Sequence, residues 1–107
     1  MIGIIDYGCG NIHAFTNTFK RMNTDSIVVS KPEHLSKIKK IILPGVGSFD
    51  HVIKCFNASG LRDMVEKKIF IEKINILGIC AGMQIFADSS EEGSESGLGW
   101  VSGTVKK

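Results

Sequence analysis

Residues 74–84 read INILGICAGMQ. The first six residues form a nearly unbroken apolar run, which predicts a buried strand; AGMQIFAD (81–88) then predicts the start of a helix. Between them stands Cys80, with Gly78 two residues before it and Gly82 two residues after. That spacing suits a sharp strand-to-helix turn, where flanking side chains would collide with neighbouring strands and the central one is pushed outward. At the positive end of the following helix a thiolate is also favoured. Cys80 is therefore a candidate nucleophile.

Working outward, the same alternation recurs. IGIID (2–6) predicts a strand ended by YGCGN, and Ile12, Phe15, Phe19 and Met22 fall at helical spacing with Asn11 placed to cap. SIVVS (26–30) and KIILPG (40–45) predict two more strands, with a short helix between them. FDHVIKCF and LRDMVEKKIFIEK predict two helical segments broken at NASG. After the helix that follows Cys80, SSEEGSESG is a polar loop and LGWVSGTVKK predicts a final, fifth strand. Short apolar strands alternating with amphipathic helices imply right-handed crossovers. The expected fold is α/β, a mostly parallel sheet with helices on both faces, in the flavodoxin-like manner. Sites in such sheets gather at the carboxyl ends of the strands. Three glycine-containing loops fall there: DYGCGN (6–11), PGVGSF (44–49) and CAGMQ (80–84).

The totals allow one small domain, with 107 residues, 43% hydrophobic and 22% charged. A net charge of +2 gives no basis for nucleic acid or an acidic membrane surface. No window reaches the roughly 18 apolar residues of a membrane span. MIGIIDYG lacks the basic start of a secretion signal, so a cytoplasmic location is expected. Cys9, Cys55 and Cys80 are widely spaced with no C-x-x-C, and His13, His34 and His51 show no ligand spacing with them. Neither a disulfide framework nor a metal site is expected. Cys9, in its glycine-flanked loop, is expected within reach of solvent, and Cys55 in the core.

Each loop also has an ordinary reading. P-G-V-G alone is a tight turn, and with no G-x-G-x-x-G and no following G-K-[ST] it is not a phosphate loop. Asp6 ends a strand without partner acids for a metal. His34 and His51 read as solvated histidines, and Glu91 and Glu92 as an acidic turn. Beside Cys80, however, the P-G-V-G loop gains a use. An oxyanion formed there needs two donors, one from the amide after the nucleophile and one from a neighbouring loop.

Taken together, IIDYGCGN, ILPGVGSF, ILGICAGMQIFADSSEEG and GLGW, in this order and spacing, closely resemble the triad-type (class I) glutamine amidotransferases. Within that class they are most similar to the glutaminase subunits of imidazole glycerol phosphate synthase, in histidine biosynthesis. The resemblance implies that Cys80 attacks the side-chain amide of L-glutamine, forming a thioester and releasing ammonia, and that water then frees glutamate. It implies backbone oxyanion donors at Val46 and Ala81. Gly47 would line the pocket, with Gln84 and Glu92 binding the substrate. No cofactor is implied. The ammonia would pass to a cyclase partner, a (β/α)8 barrel, with Asn11 in the loop facing it. Relatives of this pair serve amino- or amidino-sugar synthesis for surface polysaccharides, and the motifs do not separate the two pathways.

The chain departs from the family pattern at Ala81, where leucine is usual, and at Cys9, where methionine is more common. A larger departure is that the family's catalytic histidine and glutamate, in an H-x-E pattern, follow well beyond the GLGW segment, and residues 1–107 hold no H-x-E. The expectation is therefore that residues 1–107 are the N-terminal portion of an amidotransferase domain, cut after about its fifth strand. Such a chain would carry nucleophile and oxyanion loops but no base, and would be inactive and prone to self-association when isolated. Two other readings are a cysteine peptidase or deglycase of similar architecture, which would place histidine where Ala81 stands, and a fragment that only docks on a partner.

Overall fold

A computed structural model describes residues 1–106. Four parallel strands form the sheet: β1 (Ile2–Ile5), β2 (Ser26–Val29), β3 (Lys40–Leu43) and β4 (Asn75–Gly78), in the spatial order β2-β1-β3-β4. The register pairs Ile4 with Val28 and Ile42, and Ile42 with Leu77. Because side chains alternate along a strand, those four residues share one face, and Ile5, Val29, Ile41 and Leu43 share the other.

Both faces are covered, by different elements. The chain moves one way from β1 to β2 and the opposite way from β2 through β3 to β4. Right-handed crossovers therefore put α1 (Ile12–Arg21) on one face and α2 (Phe49–Ala58) and α3 (Arg62–Glu66) on the other. The main core lies on the second side, where Ile5, Val29, Ile41 and Leu43 meet Phe49, Val52, Phe56, Leu61 and Val65. The α1 side is thinner: α1 buries no residue fully, and at the β4 edge Leu77 is 55% exposed. Asn11 caps α1 as expected, its side chain accepting from the Ala14 amide at 3.2 Å.

Three elements differ from expectation. The run after α3 continues as a widened turn (Lys67–Ile71) in which Lys68 is buried. Its Nζ donates to the Ser36 carbonyl at 3.2 Å and pairs with Glu72 at 3.1 Å, so the charge is not left unpartnered. The helix after Cys80, α4 (Ala81–Gln84), is a single turn. Carbonyls that would extend it accept from a returning segment instead, Ile85 from the Leu98 amide (2.8 Å), Phe86 from Val101 (2.9 Å) and Ala87 from Gly99 (3.2 Å). For the same reason residues 98–106 add no fifth strand to the sheet, and the last residue of the expected strand, Lys107, lies outside the described residues. Thr104–Val105 (β6) pairs with Ser89–Ser90 (β5) in a separate ladder beside the sheet. Trp100 anchors this return, its ring against Phe56, Phe70 and Phe86 and its Nε1 donating to Glu66 at 2.7 Å. No helix among the described residues is long and apolar enough to cross a membrane.

Candidate active site

The strand order reverses between β1 and β3, and the crevice beyond their carboxyl ends is where such sheets place a site. Here the three glycine-containing loops interlock. The Tyr7 hydroxyl, in the loop after β1, donates to the carbonyl of Pro44, in the loop after β3. A Cβ on Gly45 would lie 2.5 Å from the Gly82 nitrogen and 2.8 Å from Tyr7 Oη. One on Gly78 would lie 2.6 Å from the Met83 Cα, and one on Gly82 would press on the Leu43 carbonyl and lie 2.9 Å from the Pro44 carbon. Only bare backbone lets these chains approach so closely.

That packing sets the conformation of Cys80, which has φ +54° and ψ −124°, a region costly for any residue with a Cβ. The thiol is carried outward at an exposed position. It opens on a hollow of about 450 Å³ lined by Gly45, Val46, Gly47, Cys80, Ala81 and Gln84. Five residues singled out in the sequence thus meet in one place. A hollow of similar size lies against α1 and β2, among Thr16, Lys20 and Asp25, and has no cysteine in its lining.

Other sequence candidates fall elsewhere. Glu92 is exposed in the loop after β5 and does not line the hollow, and Asn11 is exposed at the start of α1. One turn of helix behind Cys80 is also too short to build a full dipole, which weakens the expectation that the helix end favours a thiolate there. The Ala81 amide, one of the two expected oxyanion donors, donates to the Gly45 carbonyl at 3.2 Å.

Sequence reasoning missed Asp50, in the first turn of α2 directly after the P-G-V-G loop. Its carboxylate accepts from the Ser94 amide (2.9 Å), the Glu95 amide (3.0 Å) and the Ser94 hydroxyl (3.3 Å). Those bonds, that from the Ser94 amide foremost, hold the Asp50 carboxyl below the usual carboxylate range. They also tether the loop that carries Glu92 to the base of the P-G-V-G loop. A group whose pKa is depressed by folding contributes above its unfolded value, about 4, and loses that contribution as pH falls through the folded one. Protection of the Ser94 and Glu95 amides from hydrogen exchange is therefore expected at neutral pH and lost in acid. Asp50→Ala should remove it at every pH. Equal protection in the variant at neutral pH would show that the loop is held by other means.

Two expectations about side chains are corrected. Cys9 is buried, at 4% exposure, because its loop folds down over α2 instead of projecting into solvent. His34 caps the 3-10 turn at Pro32–Leu35, its Nδ1 accepting from the Ser30 and Lys31 amides at 3.3 Å each. His51, at the start of α2, is exposed and pairs with Cys55 at 3.7 Å.

Residues 3–103 match the model of the family described as "Glutamine amidotransferase class-I". All 107 residues align at 51% identity with "Imidazole glycerol phosphate synthase subunit HisH" of Leptospira interrogans. The protein of the same name from Leptospira borgpetersenii aligns over the same length at 54%. In each case the match takes in 100% of this chain and 52% of the relative. The chain thus spans about half the length of the curated relatives it matches. A solved structure, "Crystal structure of glutamine amidotransferase", superposes with a TM-score of 0.69 at 27% identity, over 84% of this chain and 47% of that one. The four-stranded parallel sheet, the glycine-flanked Cys80 and a family match over residues 3–103 agree, and the chain belongs to the class-I glutamine amidotransferase family.

Proposed function

We propose that this chain carries the nucleophile side of a glutaminase that releases ammonia from L-glutamine. The observation that carries the reading is Cys80, held at φ +54° at the edge of a hollow it shares with Val46, Gly47, Ala81 and Gln84. The sulfur bonds to the side-chain carbonyl carbon and the carbon–nitrogen bond breaks. Nitrogen leaves as ammonia after taking a proton, and water hydrolyses the thioester to glutamate. Gln84 and Glu92 bind the substrate, and Asp50 holds Glu92's loop beside the P-G-V-G segment.

The oxyanion of the first step needs the Ala81 amide, which the Gly45 carbonyl occupies in this conformation. Turning the Gly45–Val46 peptide would free that amide and bring the Val46 N–H in place of the carbonyl, giving both donors in one movement. The same turn would make reactivity depend on whatever settles the loop. We assign the ammonia to a cyclase partner with a (β/α)8 barrel that makes imidazole glycerol phosphate in the cytoplasm. The names of the Leptospira relatives, which are subunits of imidazole glycerol phosphate synthase, support the synthase assignment alone; in this reading Asn11 is in the loop that faces the partner. The 107-residue chain alone is inactive in this reading. It holds no H-x-E, and His51, next to the P-G-V-G loop, is engaged with Cys55. The thioester step therefore lacks a proton carrier.

The test is covalent labelling with an electrophile built on the glutamine skeleton, mapped peptide by peptide. Cys80 should label far ahead of Cys9 and Cys55, and excess glutamine should suppress the label. Equal, slow labelling of all three cysteines would mean that no glutamine site is assembled in this chain.

A further inference from the structure

A second constellation lies behind the P-G-V-G loop, away from the thiol that does the chemistry. His51 and Cys55 are four residues apart on α2 and so share one helix face. The loop after β1 lowers Cys9 onto the same spot. The ligand atoms of Cys9, His51 and Cys55 all lie within 4.8 Å of one another. From these three side chains we infer that the protein has a binding site for a thiophilic d10 metal ion, Zn²⁺ in first place, distinct from the glutaminase centre.

Geometry and donor chemistry both support it. A tetrahedral zinc with bonds of about 2.3 Å to sulfur and 2.0–2.1 Å to nitrogen separates those ligands by about 3.6 Å. His51 Nε2 and Cys55 Sγ stand 3.7 Å apart, so one edge of the tetrahedron is already set. Two thiolates and an imidazole select zinc or cuprous copper over the hard cations, which prefer oxygen. The site has a buried floor and an open side: Cys9 is buried, Cys55 half-buried and His51 exposed. An ion can therefore enter past His51, and a water fills the fourth position.

A divalent ion beside the two sulfurs favours their thiolate forms. On binding, each thiol gives up its proton to solvent and each sulfur bonds to the metal. Neutral His51 donates its Nε2 lone pair, and nothing is oxidised or reduced. The filled site would join the loop after β1 to α2. It would also fix the His51 ring, whose Cδ2 lies 3.3 Å from where a Cβ on Gly47 would be.

The deciding experiment titrates the full chain with Co²⁺ under a phosphine reductant, followed by Zn²⁺. A thiolate-to-cobalt charge-transfer band with tetrahedral ligand-field bands should saturate at one equivalent and vanish when Zn²⁺ displaces Co²⁺. Cys55→Ser and His51→Ala should each weaken binding by about tenfold or more. His51→Ala changes an exposed side chain, so its fold is expected to survive, which circular dichroism verifies. Cys80→Ser should leave the titration unchanged. The inference is overturned if the wild-type chain gives no thiolate band, if the band persists undiminished in His51→Ala, or if it disappears with Cys80→Ser.

Discussion

Gly82→Ala is expected to destabilise the chain by about 3 kcal/mol or more, because the new methyl has nowhere to go. The atoms it meets are the Leu43 carbonyl and the Pro44 carbon, main-chain atoms at the end of a central strand. A flexible side chain could swing aside; this backbone cannot move without breaking register with β4 or the Tyr7 hydroxyl bond to Pro44. In a domain of this size the loss corresponds to a fall in Tm of roughly 12 °C or more. Met83→Ala, one residue on, is the control. Its side chain is 56% exposed, and its cost should stay within about 0.5 kcal/mol. Selective labelling of Cys80 should disappear in Gly82→Ala and survive in Met83→Ala. If the two variants unfolded at the same temperature, the loops after β3 and β4 would be free to separate, and the close packing of the three loops would not be what shapes the site.

The sequence was most readable where local pattern and tertiary packing ask for the same thing. Ile2–Ile5, Lys40–Leu43 and Asn75–Gly78 are apolar runs ended by glycine or proline signals. The first two are buried on both faces and need that pattern; β4 carries it too although Leu77 is half exposed, so the sheet and its loops could be placed from residue types alone. The glycines at 78 and 82 were readable for a similar reason, since their spacing about Cys80 encodes a steric requirement and not a preference. Legibility failed where distant hydrogen bonds outbid local propensity. IFAD has an acceptable helical pattern, yet the carbonyls of Ile85, Phe86 and Ala87 are taken by residues 98–101, and no local signal announces that pairing. The same return drew residues 98–106 away from the sheet. Cys9 was misplaced because a glycine-flanked loop says that the chain turns, without saying toward what. The His51–Cys55 pair was passed over in the sequence, although a four-residue spacing on a predicted helix puts both on one face. Its third member carried no local signal, because Cys9 arrives through the fold.

Cys80→Gly should raise stability while abolishing the covalent label, and the comparison that isolates the cause is with Cys80→Ala. Both variants lose the thiol, so neither can be labelled at position 80. They differ in whether a Cβ must be held at φ +54° and ψ −124°. A residue with a side chain held in so sparsely populated a region costs on the order of 1–3 kcal/mol. Glycine relieves that strain but gives the unfolded chain more freedom, which costs about 0.5–1 kcal/mol. The net expectation is that Cys80→Gly is about 1 kcal/mol more stable than Cys80→Ala, a difference in Tm of roughly 4–8 °C. Alanine should unfold near the wild-type temperature, because it keeps the strained backbone and loses only an exposed sulfur. This pattern would mean that the elbow stores strain to hold the thiol outward, and that the two interlocked loops supply the energy. If glycine were instead the less stable of the two, the neighbouring loops would be imposing no strain at position 80. The exposure of the thiol would then need another cause.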